Sequence, residues 1–290
     1  MNLSNEEIKS ILTTCKNREA SERLGVGLRS VNYWREKLGI RSPHSQAEAA
    51  RKYTLNDSFF KTIDTQEKAY VLGFLAADGN VNPDKYGCEI RICLHQRDKD
   101  VLEKINNVWD STYPVRIHRS TELSGFPGTN REQVKLSIRS SQFQIDLAKY
   151  GIIPNKTAVL RYPIIPDGMD RHFLRGFLDG DGHITNQEFG WVTNPNMAND
   201  LQKICMKHGF PELRRYRIKD SSDCVKGGPK FHHLIKWMFE DATICLQRKK
   251  ERFDKFWSDR IYVPKTRSYT STKHIPCALE ALPPVPGSLP

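Results

Sequence analysis

The segment EKAYVLGFLAADG, residues 67–79, is matched 103 residues later by DRHFLRGFLDGDG, residues 170–182. Five of the thirteen positions are identical, and four more keep their chemical character. Each copy is largely apolar and ends in Asp-Gly, and glycine is the residue most often found just after a helix end. The chain therefore contains an internal repeat, and each copy is predicted to begin with a helix.

Small residues recur four positions apart within each predicted helix. They are Gly73 and Ala77 in the first copy, and Gly176 and Gly180 in the second. Residues four apart share one helical face, and a glycine inside a helix costs about 0.5–1 kcal/mol relative to alanine. This cost indicates that the two helices pack closely on each other, about a pseudo-twofold axis.

An aspartate ends each predicted helix, Asp78 in one copy and Asp181 in the other. A single Asp-Gly at a helix end would indicate an ordinary cap or turn. If the two helices pair in parallel, however, the two carboxylates come together, and like charges are unfavourable unless a cation lies between them. The matched pair therefore predicts a divalent metal bound through oxygen ligands, with Mg²⁺ the usual ion beside phosphate.

The sequence after each copy follows the same order. In the first half, alternating or β-prone residues predict strands at 88–95, 115–118 and 134–139, with helices at 98–109 and ending near residue 150. In the second half, strands are predicted at 189–193, 213–219 and 231–235, with a helix capped by Asn194 and further helices at the C-terminus. The predicted fold class is α+β, with two helix-strand-strand-helix-strand-strand-helix halves.

The N-terminal residues predict a small all-α helix-turn-helix module. Ser4 and Glu7 form a capping-box pattern, and a glycine-bearing turn at 25–27 separates two later helices. The third helix is expected to bury Val31, Trp34 and Leu38. Its other face would offer side chains suited to a DNA groove, namely Arg29, Ser30, Asn32, Tyr33 and Arg35. A three-helix bundle without a DNA role is the alternative.

The predicted organisation is a helix-turn-helix module at 1–42, a linker at 43–64, a first half at 65–162, a second half at 163–275 and a Pro-rich tail at 276–290. The formal net charge of +11, from 45 Lys+Arg and 34 Asp+Glu, favours a nucleic-acid partner. The seven cysteines are scattered without a Cys-x-x-Cys pair, which disfavours a zinc ribbon, and nothing indicates a disulfide framework. No apolar run approaches about 18 residues, so no membrane span is expected.

The two segments VLGFLAADG (71–79) and LRGFLDGDG (174–182) resemble the paired motifs of single-chain LAGLIDADG homing endonucleases. The resemblance covers roughly residues 65–270. It implies two αββαββα halves with saddle-like antiparallel sheets, the motif helices at their interface, and metal-dependent cleavage of both strands of a long DNA target. The first copy has Ala76 where the second has Asp179; in the family this earlier acid is not the metal ligand.

The resemblance also implies the residues of the site. Asp78 and Asp181 would bind metal, helped by the main-chain carbonyls of Ala77 and Gly180. A basic residue near the metals would be Lys156 in one half and Lys249 in the other, with Lys250 an open alternative to Lys249. The expected cofactor is Mg²⁺, with Mn²⁺ or Ca²⁺ able to substitute for binding.

The open sheet faces would supply the surface for double-stranded DNA. In the first half the candidates, from their alternation along the strands, are Glu89, Arg91, Cys93, His95, Arg116, His118, Lys135, Ser137 and Arg139. In the second half they are Arg215, Arg217, Lys219, Lys230 and His232.

Two rival functions remain open: a transcriptional regulator that keeps this scaffold without cutting, and a maturase that binds intron RNA. A regulator would be expected to lose the motif acids, which are present here. An intein is disfavoured, because the chain begins with Met and does not end in His-Asn. We expect a monomer without an obligate protein partner, located in the cytoplasm, with a bacterial or phage source favoured and an organellar one still open.

Overall fold

The protein is described from a computed structural model over residues 4–40, 52–84, 87–119, 132–219 and 221–261. The helices of this part of the chain are α1 (Asn5–Thr14), α2 (Asn17–Leu24), α3 (Leu28–Leu38), α4 (Gln66–Asp78), α5 (Lys99–Val108), α6 (Ser141–Lys149), α7 (Asp170–Asp181), α8 (Pro195–Lys207), α9 (His232–Phe239) and α10 (Gln247–Phe256). The strands are β1 (Gly79–Asp84), β2 (Gly87–His95), β3 (Arg116–Arg119), β4 (Glu132–Arg139), β5 (Gly182–Ile184), β6 (Phe189–Thr193), β7 (Arg214–Lys219) and β8 (Ser222–Gly227).

The two halves have the same element order. The first runs α4-β1-β2-α5-β3-β4-α6, and the second runs α7-β5-β6-α8-β7-β8-α9, after which α10 follows. Each half contains one four-stranded antiparallel sheet, in the order β1-β2-β4-β3 or β5-β6-β8-β7. The predicted fold class is confirmed.

The first strand of each sheet begins in the same register with its neighbour. Gly79 pairs with Ile92 in the first sheet, and Gly182 pairs with Trp191 in the second. Both glycines directly follow the motif aspartate, so Ile92 and Trp191 occupy equivalent positions. Because β1 and β5 each begin where a motif helix ends, the two aspartates lie beside the edge strands β1 and β5 of the two sheets.

One hydrophobic core spans both halves, with α4 and α7 at its centre. It also includes Phe59, Phe60 and Ile63, which the sequence analysis assigned to the linker. The ring of Phe60 packs against Trp109 and Phe143 of the first half, so the end of the predicted linker contributes to this core. Among the described residues, no helix is long and apolar enough to span a membrane.

The first three helices have a separate core of Leu12, Cys15, Ala20 and Val31. The predicted capping box is confirmed, because Ser4 and Glu7 each accept the other's backbone N–H. Gly25 ends α2 with φ 64°, a left-handed conformation that glycine adopts without strain.

The predicted exposure of Arg35 is wrong. Its guanidinium is buried and donates to the carbonyls of Leu12 and Cys15 at the end of α1. Leu38, expected to be buried, is instead 41% exposed. Arg29, Asn32 and Tyr33 are exposed on α3, as predicted, while Ser30 is half-buried.

The strand predicted at 231–235 is also wrong. Residues Pro229–Phe231 form a 3-10 turn and α9 begins at His232, while the missing strand is β8, earlier in the chain. Leu234, Ile235 and Met238 are buried at helical spacing. Residues 41–51, where the linker was predicted to begin, and the predicted tail at 276–290 lie outside the described residues.

Candidate active site

The two motif helices approach so closely that their glycines leave no room for a side chain. A Cβ built on Gly73 would meet the carbonyl group of Phe173, with the carbonyl carbon at 2.9 Å. A Cβ built on Gly176 would meet the carbonyl group of Tyr70, again with the carbon at 2.9 Å. The obstacles are backbone atoms, which cannot rotate away. Glycine is therefore required at the crossing of α4 and α7.

The C-terminal ends of the same helices bring the aspartates together. A Cβ on Gly180 would meet the Cβ of Ala77 and would lie 3.3 Å from the Oδ2 atom of Asp78. The Asp78 carboxylate therefore lies against the last turn of α7, beside Asp181. Asp78 is half-buried and Asp181 is exposed, so the pair is open to solvent on one side.

Asp78 and Asp181 are neighbouring carboxylates that have each lost part of their hydration. Loss of hydration, followed by repulsion from Asp78, raises the pKa of Asp181 to about 6, and Lys156 and Lys249 oppose the shift. Loss of hydration likewise raises the pKa of Asp78. Neither carboxylate has a hydrogen-bond or ion-pair partner among the residues that the structure describes. Two adjacent acids without such partners are suited to binding a cation.

Lys156 caps the end of α4 in the first half. It lies in a turn, Lys156–Ala158, and its buried Nζ donates to the carbonyl of Gly79 and, at 3.4 Å, to that of Ala77. Burial lowers the pKa of Lys156, while Asp181 and then Asp78 oppose this effect. The lysine thus places a cationic group beside both acids.

Lys249 caps the end of α7 in the second half. Its buried Nζ, on α10, donates to the carbonyls of Leu178, Asp179 (2.7 Å) and Gly182 (2.8 Å). Burial lowers the pKa of Lys249 to about 8. Its neighbour Lys250 is partly exposed and pairs with Asp254 at 2.5 Å. Lys156 and Lys249 are therefore equivalent, since each contacts the glycine carbonyl that follows a motif aspartate.

Asp179 makes an additional connection that the sequence analysis did not predict. Its buried carboxylate accepts from the Tyr70 hydroxyl at 2.8 Å and from the backbone N–H of Leu246 at 2.7 Å. Leu246 is the N-cap residue of α10, which carries Lys249. Burial raises the pKa of Asp179. Asp179 therefore joins α7 to α4 and to the start of α10. The presence of an acid inside an otherwise apolar helix was the sequence signal that could have predicted this buried contact.

The first sheet presents a polar and mostly basic open face. The register aligns Arg91 with Ser137, Glu89 with Arg139, and Cys93 with Lys135, while Ile90, Ile92, Leu136 and Ile138 of the same strands are buried. Glu89 lies within this face, where it pairs with Arg91 and Lys135 and accepts from Ser137. His95 and Arg116 are also exposed, and His118 lies in β3, although its side chain is outside the described part.

The second sheet differs from the prediction. Arg215 and Arg217 share a sheet face with the buried Val225 and Asp223, and both pair with Asp223. Their predicted place on the open face is therefore wrong, because pairing with this buried carboxylate holds them on the other side. The open face carries Arg214, Tyr216, Lys226, Val192 and His183.

The remaining second-half candidates also lie elsewhere. His232 is buried at the start of α9, where its ring lies 3.7 Å from that of His233. Lys230 is exposed in the preceding turn rather than on a strand, with its ammonium over the Phe231 ring. Lys219 ends β7, and its side chain lies outside the described part. The strand predicted for Lys230 and His232 does not form, so neither belongs to the sheet.

The family resemblance of the first half is confirmed. Residues 65–150 match the family model described as a LAGLIDADG-like domain. A comparison with curated proteins gave no match.

Solved structures with a similar arrangement include two DNA-bound proteins. One is the LAGLIDADG meganuclease I-AabMI bound to uncleaved DNA, with 16% identity, a TM-score of 0.42, and coverage of 64% of this chain and 87% of that one. The other is the homing endonuclease I-WcaI bound to its DNA recognition sequence, with 14% identity, a TM-score of 0.48, and coverage of 75% and 96% respectively.

Proposed function

We propose that this protein is a site-specific DNA endonuclease that hydrolyses a phosphodiester bond in each strand of a duplex. The observation that carries the proposal is the Asp78–Asp181 pair, one acid from each motif helix, placed together without hydrogen-bond partners among the described residues. The match of residues 65–150 to the LAGLIDADG-like family model supports a nuclease, and the cleavage chemistry is inferred from the acids and the lysines beside them.

The donor atoms at this position fit a hard divalent cation such as Mg²⁺. Within the described residues there is no group of three or more His, Cys, Asp and Glu side chains that could hold a metal. The groups that would hold the cation are the two carboxylates together with the carbonyls of Ala77 and Gly180. A bound cation of this kind polarises a phosphodiester, provides hydroxide near neutral pH and stabilises the leaving oxygen.

The two buried lysines would act beside the acids. Each ammonium is fixed by carbonyls at the end of its own motif helix, so each half supplies one oriented cation. Such a fixed positive charge can stabilise the negative charge that develops on the phosphate at its strand without first reorganising, which is how preorganised charges stabilise a transition state. We assign Lys156 to one strand and Lys249 to the other.

The partner would be double-stranded DNA lying across the two open sheet faces. The exposed cations of the first sheet and the net charge of +11 support contact with phosphates and base edges. The helix-turn-helix module would add contacts through Arg29, Asn32 and Tyr33, which are exposed on α3. The chain would work as a monomer, because both motif helices come from one polypeptide.

The test begins with selection of bound duplexes from a random library by the full-length chain in Ca²⁺. Selected duplexes are then cloned into a plasmid and incubated with the protein and Mg²⁺. We expect linear plasmid from the wild type, no linear product from Asp78→Asn or Asp181→Asn, and binding by both variants within about threefold of the wild type. Asp100→Asn, an acid on α5 that pairs with Lys104, is the matched control and should cut normally.

Other results would favour the rival functions. A wild-type protein that binds a selected duplex but never cuts it in Mg²⁺ or Mn²⁺ would support a regulator. One that prefers intron RNA to every duplex, and promotes splicing of that intron, would support a maturase.

A further inference from the structure

The open faces of the two sheets differ chemically at equivalent positions. Since Ile92 corresponds to Trp191, Cys93 corresponds to Val192. Cys93 lies beside Lys135, which pairs in turn with Arg116. Val192 lies beside Cys224, which pairs in turn with Tyr216. A row with two cationic side chains in the first sheet is therefore replaced by an apolar and aromatic row in the second.

The two ends of this second-sheet row, Val192 and Tyr216, are exposed, whereas Cys224 between them is buried. Val192 is 39% exposed and Tyr216 is 46% exposed. Exposed apolar side chains side by side on an open sheet usually mark a contact surface. Tyr216 is also held in place, because the Lys226 ammonium lies 5.1 Å from the centre of its ring.

Basic side chains border this row, and one of them, Lys226, is paired with Glu188 at 2.7 Å. Lys226 and Arg214 form the neighbouring row together with Gly190 and His183. A Cβ on Gly190 would lie 2.6 Å from the Cβ of Lys226, so the glycine leaves space for that lysine. Arg214 and the Lys226–Glu188 pair thus flank the exposed apolar side chains.

We infer that Val192 and Tyr216, the exposed ends of this row, recognise thymine methyl groups in the major groove of the half-site under the second sheet. The thymine C5-methyl is the apolar feature of the major groove, and apolar side chains are its usual partners. The equivalent row of the first sheet, with Lys135 and Arg116, would face guanine acceptors or phosphates at the same distance from the centre. This inference rests on the proposed DNA function and adds that the two half-sites differ in base preference.

The test uses the full-length chain, Ca²⁺ and duplexes selected from a random library. Wild-type selections should contain one or more conserved thymines in one half-site, and Val192→Ala should lose that preference while keeping the preferences of the other half-site. The conserved thymine is then replaced by uracil, which removes the methyl group alone. Wild-type affinity should fall about fourfold per methyl, a factor that corresponds to burial of one methyl group.

Single substitutions then show which side chains are responsible for the preference for thymine over uracil. Val192→Ala and Tyr216→Ala should bind the thymine and uracil duplexes within about 1.5-fold of each other. Ile117→Ala, a matched control, removes a side chain that is 56% exposed and pairs with buried Val134 on the other face of the first sheet. It should keep the full thymine preference. If Val192→Ala fails to fold, Tyr216→Ala alone provides the test. Retention of the wild-type thymine preference by Tyr216→Ala would count against the inference.

Two failures remain distinguishable. Equal wild-type affinity for thymine and uracil duplexes would overturn this inference and leave the endonuclease proposal intact. Absence of binding to any duplex would refute the proposed function, and the inference with it.

Discussion

Lys249 and Lys250 are neighbours in sequence but have opposite environments. The first is buried against three carbonyls at the end of α7, and the second pairs with Asp254 on the surface. We expect Lys249→Met to lower the cleavage rate by about 100-fold or more, because it removes an oriented cation beside the acids. Lys250→Met should lower it less than threefold. Single-turnover cleavage of a selected duplex measures both, and equal losses would contradict the assignment.

Asp181 makes the stability of the metal-free protein depend on pH. Its pKa is raised to about 6 in the folded chain, so its ionisation favours unfolding. The loss of folding free energy caused by this ionisation is absent below about pH 4, grows as the pH rises toward 6 and is complete above pH 6. Asp181→Asn should therefore raise the melting temperature at pH 8, but not at pH 4. Because Asp181 is exposed, water screens the effect, which we expect to be about 1 kcal/mol.

Thermal melts in a chelator, across pH 4 to 8, would measure this difference. Asp100→Asn is the control, since Asp100 is ion-paired on α5 and should show no such gain at high pH. An Asp181→Asn variant that gains as much stability at pH 4 as at pH 8 would show that packing, rather than charge, is responsible.

At the residue scale, the sequence predicted the site residues that occur in both repeats. It did not predict the side chains whose environment depends on tertiary contacts. Asp78 and Asp181 could be found because a duplication marks them twice. Arg35 could not be placed, since an arginine looks exposed until the open carbonyls at the end of α1 are known. Asp179 was noticed only as a departure from Ala76, because its partner N–H at Leu246 lies 67 residues away in the chain.

At the element scale, the crossing of α4 and α7 determines the site. A Cβ on Gly176 would overlap the Tyr70 carbonyl. Gly176→Ala should therefore lower the free energy of unfolding by about 3 kcal/mol, and should reduce cleavage by displacing the two acids from each other. Gly228→Ala is the matched control, because its Cβ would lie 3.8 Å from the nearest atom, the Gln187 carbonyl oxygen. It should change stability by less than about 0.5 kcal/mol.

Urea unfolding together with the plasmid assay would test this pair. If Gly176→Ala unfolds at the same urea concentration as the wild type, the close approach of the helices is not what stabilises the molecule.

Strand β7 shows why element faces were harder to predict than element types. In the sequence RRYRIK (214–219), either alternate set contains a basic residue, so the alternation does not identify the buried side. The face is decided by Asp223 on the neighbouring strand, which pairs with Arg215 and Arg217. A shift of one position reverses every side chain in a strand. The helix α9 was mistaken for a strand for a related reason, since a short apolar run fits either element.

At the scale of the whole molecule, the described part of the chain contains two separate hydrophobic cores. One belongs to the first three helices, and the other joins both halves around the motif helices. A segment with its own core can be removed without opening the other core. The order of elements therefore allows the N-terminal module and the two-half body to contribute independently to DNA binding.

Deletion of residues 1–42 should leave the melting temperature of the remaining body unchanged, because that module has its own core. It should also weaken duplex binding and make it less sensitive to salt. Each phosphate contact contributes about 0.9 to the slope of log affinity against log salt, so loss of exposed cations such as Arg29 and Lys37 should reduce the slope by roughly 1–2.

Titrations of a selected duplex at four salt concentrations measure the slope. The variant Arg29→Gln/Lys37→Gln in the full-length chain should reproduce most of the change. Unchanged affinity at every salt concentration would show that the module does not contact DNA, and its exposed α3 face would then require another partner.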